Sequence, residues 1–256
     1  MRKSCAVLGV SLGIVLASAG AWALEPPDYM RANFGVLVES HLNPDFAGNV
    51  SSPSINFSLG AGINYPLAPE SPFSFAPSAQ LYGYYGEFNS GQPVAADQAF
   101  SSTYIVGLML NAPIMYTTPI GESDFTFSGG AGLCLDLRLA LKSGDIPASD
   151  SSDSADTAAS DSNFYFWSEG RFLVPSTTLD VDYRLSDRIY VGLLTRILWP
   201  IYNLWTGEGY GFLDQTKYII NVSLRYKLKP KGGEPSPSVG APAGAPAAAP
   251  KAPPAQ

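Results

Sequence analysis

Residues 217 to 228 read Lys-Tyr-Ile-Ile-Asn-Val-Ser-Leu-Arg-Tyr-Lys-Leu. Tyr218, Ile220, Val222, Leu224, Tyr226 and Leu228 fall on one face of an extended chain. Lys217, Asn221, Ser223, Arg225 and Lys227 fall on the other, with Ile219 the apolar exception. Successive side chains of a strand point to opposite faces, so the segment predicts a strand lying between two different solvents. The alternation recurs along most of the chain. It constrains the fold to all-β: a sheet with one apolar and one polar face, closed into an eight-stranded antiparallel transmembrane β-barrel.

The two ends are of other kinds. Arg2 and Lys3 precede an apolar stretch from Ala6 to Leu16, and Ala21-Trp22-Ala23 has the small-residue form of a cleavage signal. The stretch is shorter than the roughly 20 residues a membrane helix needs. Residues 1–23 therefore read as a cleaved signal peptide, residues 24–229 as the barrel, and residues 230–256 as a tail. The tail is nearly all Pro, Ala, Gly and Ser. Such a composition buries too little apolar surface to offset ordering, which predicts a disordered, semi-extended spacer.

Loss of residues 1–23 leaves 13 basic and 22 acidic residues, a net charge of −9. Asp145, Asp150, Asp153, Asp156 and Asp161 lie in one Ser/Asp/Ala-rich stretch without Lys or Arg, which predicts a disordered acidic loop. This balance excludes nucleic acid as a partner. Cys134 is the one cysteine left, so no internal disulfide is expected. A single histidine, His41, offers no His-based metal cluster, and no motif points to a cofactor.

Eight alternating segments follow. The first, 31–42, sets Ala32, Phe34, Val36 and Val38 against Asn33, Gly35, Glu39 and His41. The second, 54–65, sets Ile55, Phe57, Leu59, Ala61, Ile63 and Tyr65 against Asn56, Ser58, Gly60, Gly62 and Asn64. The third, 77–86, is the least regular, with Tyr82 and Tyr84 opposite Ala79, Leu81 and Tyr85. The fourth, 102–116, carries Tyr104, Val106, Leu108, Leu110, Ala112, Ile114 and Tyr116 on one side. The fifth, 124–142, puts Cys134, Asp136, Arg138 and Lys142 inward beneath a row of outward leucines. The sixth spans 164–184, with Asp180 and Asp182 inward. The seventh, 189–201, places Ile189, Val191, Leu193, Ile197, Trp199 and Ile201 against Gly192 and Arg196. The eighth is 217–228.

The longer connections are the first, third, fifth and seventh. Outer-membrane barrels have short periplasmic turns and long extracellular loops, so both termini are expected in the periplasm and residues 143–163 outside. Aromatic residues mark two interfacial girdles. Tyr65, Tyr116, Tyr183 and Tyr226 lie toward the periplasmic boundary; Phe57, Tyr104, Trp199 and Tyr218 lie toward the other. The inward set Glu39, His41, Asp136, Arg138, Arg196 and Arg225 is a candidate polar network in the lumen, with Leu37 and Leu194 as inward apolar surface.

Signal, strand count, unequal loops and a last strand closing on Tyr226 resemble the small OmpW-like and OmpA-like outer-membrane barrels. Tyr183-Arg184-Leu185-Ser186-Asp187-Arg188 resembles their tight periplasmic turn, and the Pro/Ala tail resembles the linker after an OmpA-like barrel. The chain stops where a peptidoglycan-binding domain would begin. The resemblance implies an outer-membrane location, contact with outer-membrane lipid and handling by the β-barrel assembly machinery.

Two roles follow. One is a narrow channel of OmpW type for small, including hydrophobic, solutes. The other is a plugged structural barrel presenting surface loops, with the tail as spacer. An eight-stranded barrel is just wide enough for side chains to fill, and opposite charges in a narrow lumen should pair. A lipid-modifying enzyme would need a nucleophile and base in reach. Ser40 and His41 are adjacent in a strand and point to opposite faces, so no enzyme is expected.

Overall fold

Ten antiparallel strands alternate along the computed structural model: β1 (Tyr29–Glu39), β2 (Asn56–Pro66), β3 (Phe73–Phe75), β4 (Ser78–Asn89), β5 (Gln92–Ala95), β6 (Thr103–Pro119), β7 (Phe125–Lys142), β8 (Leu173–Arg184), β9 (Ile189–Leu198) and β10 (Lys217–Lys227). It describes residues 25–40, 56–89, 91–96, 101–143, 155–206 and 213–228. One α-helix, α1 (Ala155–Trp167), and a 3-10 turn (Ile201–Leu204) complete the described elements.

Eight of the strands form a closed ring. β1 pairs with β2 on one side and with β10 on the other. The circuit then runs β10–β9–β8–β7–β6–β4–β2. β3 lies in the same stave as β4, between β2 and β6, and is parted from it by a break at Ala76-Pro77. β5 folds back on the far end of β4. Closure removes the open edges of the ring, and a sheet in lipid has no other means of satisfying its edge groups.

The alternation dictates the two surfaces. Phe34, Phe57, Leu59, Leu81, Leu133, Leu193, Val222 and Leu224 are exposed on the outside. Asn33, Ser58, Gln80, Asn111, Asp136, Arg138, Ser176, Asp180, Asp182, Arg196, Asn221 and Arg225 are buried on the inside. Apolar outside and charged inside is the pattern of a transmembrane β-barrel and the reverse of a soluble ligand-binding barrel. The third segment's irregularity has a simple cause: Tyr82 and Tyr84 are lumen residues, buried and stacked at 6.1 Å between centroids. Gly107, across from Tyr82, leaves room for the ring; a Cβ there would lie 2.0 Å from Tyr82 Cζ.

The structure corrects three expectations. The sixth strand begins at Leu173, not at residue 164, because residues 155–167 form α1. The acidic stretch expected to be disordered is thus helical in its described part. Ala155, Ala158 and Ala159 are strong helix formers, Asp156 complements the dipole in the first turn, and Tyr165 and Phe166 supply buried surface. The seventh strand ends at Leu198, so Trp199 and Ile201 leave the ladder, the latter into the 3-10 turn. His41 lies outside the described residues.

The helix also covers a strand edge. β7 pairs with β8 only as far as Leu135–Leu173. Beyond that point the Asp136 N–H donates to Phe172 O at 2.8 Å. The Asn163 amide then takes both main-chain groups of Ala140, accepting from its N–H at 2.8 Å and donating to its carbonyl at 2.9 Å. One side chain replaces the missing strand at that position, which blunts an edge that would otherwise recruit another chain.

Val222, near the middle of β10 and 61% exposed, tests the lipid-facing surface. Val222→Arg should cost about 2–4 kcal/mol at the bilayer midplane, read from reversible urea unfolding in lipid vesicles.

Candidate functional site: the filled lumen

Charged side chains trapped inside the ring sort into three groups along its axis. Nearest the long-loop mouth, Asp136 accepts from the Tyr82 hydroxyl at 2.5 Å and from Lys217 Nζ, and pairs with Arg138 Nε at 3.4 Å. Glu39 lies 4.0 Å from Lys217. Two carboxylates thus face two cations in one layer. Lys217 also stands 5.8 Å from the Tyr82 ring centre, and the layer's apolar filling is Leu37, Tyr84, Ile105, Met109 and Ile219.

Above this layer α1 closes the mouth. Phe166 lies with its ring centre 4.2 Å from the Arg138 guanidinium carbon, and Arg138 donates to Arg171 O at 3.2 Å. Arg171 stacks on Tyr165 at 4.0 Å and pairs with Glu169 at 2.9 Å. Gln215 donates to the Tyr165 hydroxyl at 2.9 Å and to Gln92 Oε1, and its own Oε1 accepts from Tyr202 at 2.9 Å. Burial pushes the Tyr202 phenol above its usual range, which keeps it a neutral donor. A guanidinium over an aromatic face is attractive, and more so out of water.

The middle layer is uncharged but for Arg196. Gln80 Nε2 donates to Ser58 Oγ at 2.9 Å, Ser58 donates to Asn221 Oδ1 at 3.1 Å, and Asn221 Nδ2 donates to Asn33 Oδ1 at 3.1 Å. Arg196 donates to Ser78 Oγ at 2.9 Å and Gln80 Oε1 at 3.2 Å. Toward the short-turn end Arg31 pairs with Asp180 and, at 3.5 Å, with Asp182. Arg225 pairs with Asp182 at 3.0 Å and lies 4.5 and 4.9 Å from the Tyr29 and Tyr190 ring centres. Gly192 makes room for that carboxylate: a Cβ there would sit 2.3 Å from Asp182 Oδ1.

Of the residues singled out from sequence, the structure brings Glu39, Asp136 and Arg138 into one cluster and sets Arg196 and Arg225 apart from it. Leu37 and Leu194 are buried inside. Lys217, Tyr82, Asp180, Asp182 and Arg31 complete the network and were not in the candidate set. Arg31 was legible, sharing the parity of Asn33 and Glu39. Phe166 and Arg171 were not, because they come from the helix and from the turn that follows it. Among the aromatic residues, Tyr116, Tyr183, Tyr226, Phe57 and Tyr218 are exposed outside, while Tyr65, Tyr104 and Trp199 are half-buried. Four pairs of neighbouring strands match ring to ring: Phe73–Tyr116 at 5.3 Å, Phe125–Tyr183 at 4.9 Å, Phe34–Phe57 at 5.9 Å and Tyr85–Tyr104 at 5.0 Å.

The fold and filled lumen define the class: a small transmembrane β-barrel. The chain matches no family model and no curated protein. It is similar to the crystal structure of Neisserial surface protein A, at 14% identity and TM-score 0.47 over 78% of this chain and 96% of that one. It is also similar to the N-terminal β-barrel domain of Pseudomonas aeruginosa OprF, at 11% identity and TM-score 0.37 over 78% and 98%. A third is the Yersinia pestis outer membrane protein Ail, at 8% identity and TM-score 0.36 over 77% and 99%.

Asp136→Asn removes the charge that Lys217 and Arg138 share and leaves Glu39 alone to answer both. Breaking such a buried cluster should cost about 3–5 kcal/mol. Tyr82→Phe, which removes one donor only, should cost about 1–3 kcal/mol. Both are read from urea unfolding of the barrel in vesicles.

Proposed function

We propose that this protein is a plugged outer-membrane barrel: a rigid anchor that holds its long loops at the cell surface and its Pro/Ala tail as a spacer in the periplasm. The observation that carries the reading is the continuous transverse layer of Tyr82, Asp136, Arg138 and Lys217, roofed by Phe166 of α1. Two small cavities among the described residues flank the layer. A cavity of about 10 Å³ lies above the layer and one of about 40 Å³ lies below it. By the rule that a water needs about 10–15 Å³, these hold roughly one and three waters. Ion pairs of this kind are held by Coulomb attraction at low dielectric and do not part without cost.

Unequal loops orient the barrel, with short turns and termini toward the periplasm. The apolar outer surface then contacts outer-membrane lipid, and the chain reaches that membrane through the β-barrel assembly machinery. The second reading, an OmpW-type narrow channel, draws on the 40 Å³ cavity at the short-turn end, but it requires the layer above to move aside.

Single-channel recording of refolded residues 24–256 in a planar bilayer tests the proposal, once a heat-shift gel shows folding. The proposal predicts a silent membrane. Discrete openings whose conductance changes in Arg138→Ala would contradict it and favour the channel.

A further inference from the structure

Pairing the buried charges layer by layer leaves one cation over. Near the long-loop mouth Glu39 and Asp136 face Lys217 and Arg138, and Glu169 faces Arg171. In the other half Asp180 and Asp182 face Arg31 and Arg225. Arg196 is in the same half, 2% exposed, and forms no ion pair with any carboxylate among the described residues. Its partners are neutral oxygens: Ser78 Oγ at 2.9 Å, Gln80 Oε1 at 3.2 Å and Thr178 Oγ1 at 3.5 Å. A guanidinium has five N–H donors, so one on each terminal nitrogen is left without a partner. Asp28, on the rim, forms no ion pair with it; its carboxylate accepts from Asn64 at 3.1 Å, and burial raises its pKa from the ordinary value.

Arg196 lines the 40 Å³ cavity together with Arg31, Arg225, Ser78, Thr178 and Asp180. A buried cation without a counter-charge is strongly unfavourable, and a guanidinium fork matches an oxyanion or halide well. The Ser78 and Thr178 hydroxyls can turn to donate into the same space. Asp180 on the wall repels multiply charged anions, and the volume excludes large ones.

We propose that this cavity binds one small monovalent anion, a halide or a carboxylate, on the two free N–H groups of Arg196, admitted from the short-turn end. The anion restores neutrality to a half of the lumen that otherwise holds three cations and two carboxylates. The site lies on the far side of the transverse layer, so it stands or falls independently of whether that layer blocks conduction.

The test uses the mature chain, residues 24–256, in detergent micelles at constant ionic strength. Thermal midpoints are followed while a bulky sulfonate is exchanged for chloride or for formate. A ligand that binds only the folded state raises the midpoint in a saturable way. The expected result is such a rise in wild type, with the apparent affinity at least about tenfold weaker in Arg196→Gln, the loss of a charge-assisted bond. A response to formate alone assigns a carboxylate site; a response to chloride alone assigns a halide site. No rise over the sulfonate reference, or an equal rise in Arg196→Gln, overturns the proposal. Should that variant fail to give the folded gel band, the wild type alone decides. Excess ³⁵Cl line broadening displaced by formate, or a saturable formate-dependent rise of the midpoint without it, supports the site, and the absence of both overturns it.

Discussion

A polypeptide in a bilayer has no water with which to satisfy its main-chain N–H and C=O groups, and every other feature of this protein follows from that. Only helices and closed sheets meet the condition. β1 pairing on both sides, with β2 and with β10, is the contact that closes this sheet. Once closed, a sheet with a period of two has an inside and an outside. Each polar residue between two lipid-facing ones is then committed to the lumen.

That commitment makes the interior expensive. Four carboxylates and five cations of the strands are held inside a ring of eight, where unpaired charge is costly. The chain answers with short-range pairing in separate layers and with aromatic faces beneath the guanidinium groups: Phe166 for Arg138, and Tyr29 and Tyr190 for Arg225. Rigidity follows, because no member of a layer moves without leaving a partner exposed. This filled interior is the observation on which the proposed anchoring role rests.

Most strands were legible because their signal is local. In β7 and β10 the parity of each side chain is set by its neighbours alone, so Cys134, Asp136, Arg138, Asn221 and Arg225 could be placed inside from sequence. Pairing between those side chains depends on register between distant strands. Asp136 meets Lys217 across the lumen from a strand on the far side of the ring, and nothing in either segment announces the other. The helix was hidden for a different reason. Phe164-Tyr165-Phe166-Trp167 is apolar on every position, so it carries no period, and the Ser/Asp-rich run before it has the composition of a solvated loop. What orders α1 is tertiary: the amide of Asn163 on the Ala140 backbone and Phe166 over Arg138.

Cys134 offers the most direct check on a filled lumen without any substitution. It is the one thiol of residues 24–256, it points inward from β7, and it is fully buried. The measurement is labelling of refolded residues 24–256 in vesicles with a charged, membrane-impermeant thiol reagent, before and after unfolding in urea. A filled lumen predicts no labelling of the folded barrel over hours and complete labelling once it unfolds. Rapid labelling of the folded barrel would mean that water and solute reach the middle of the lumen, and it would contradict the account.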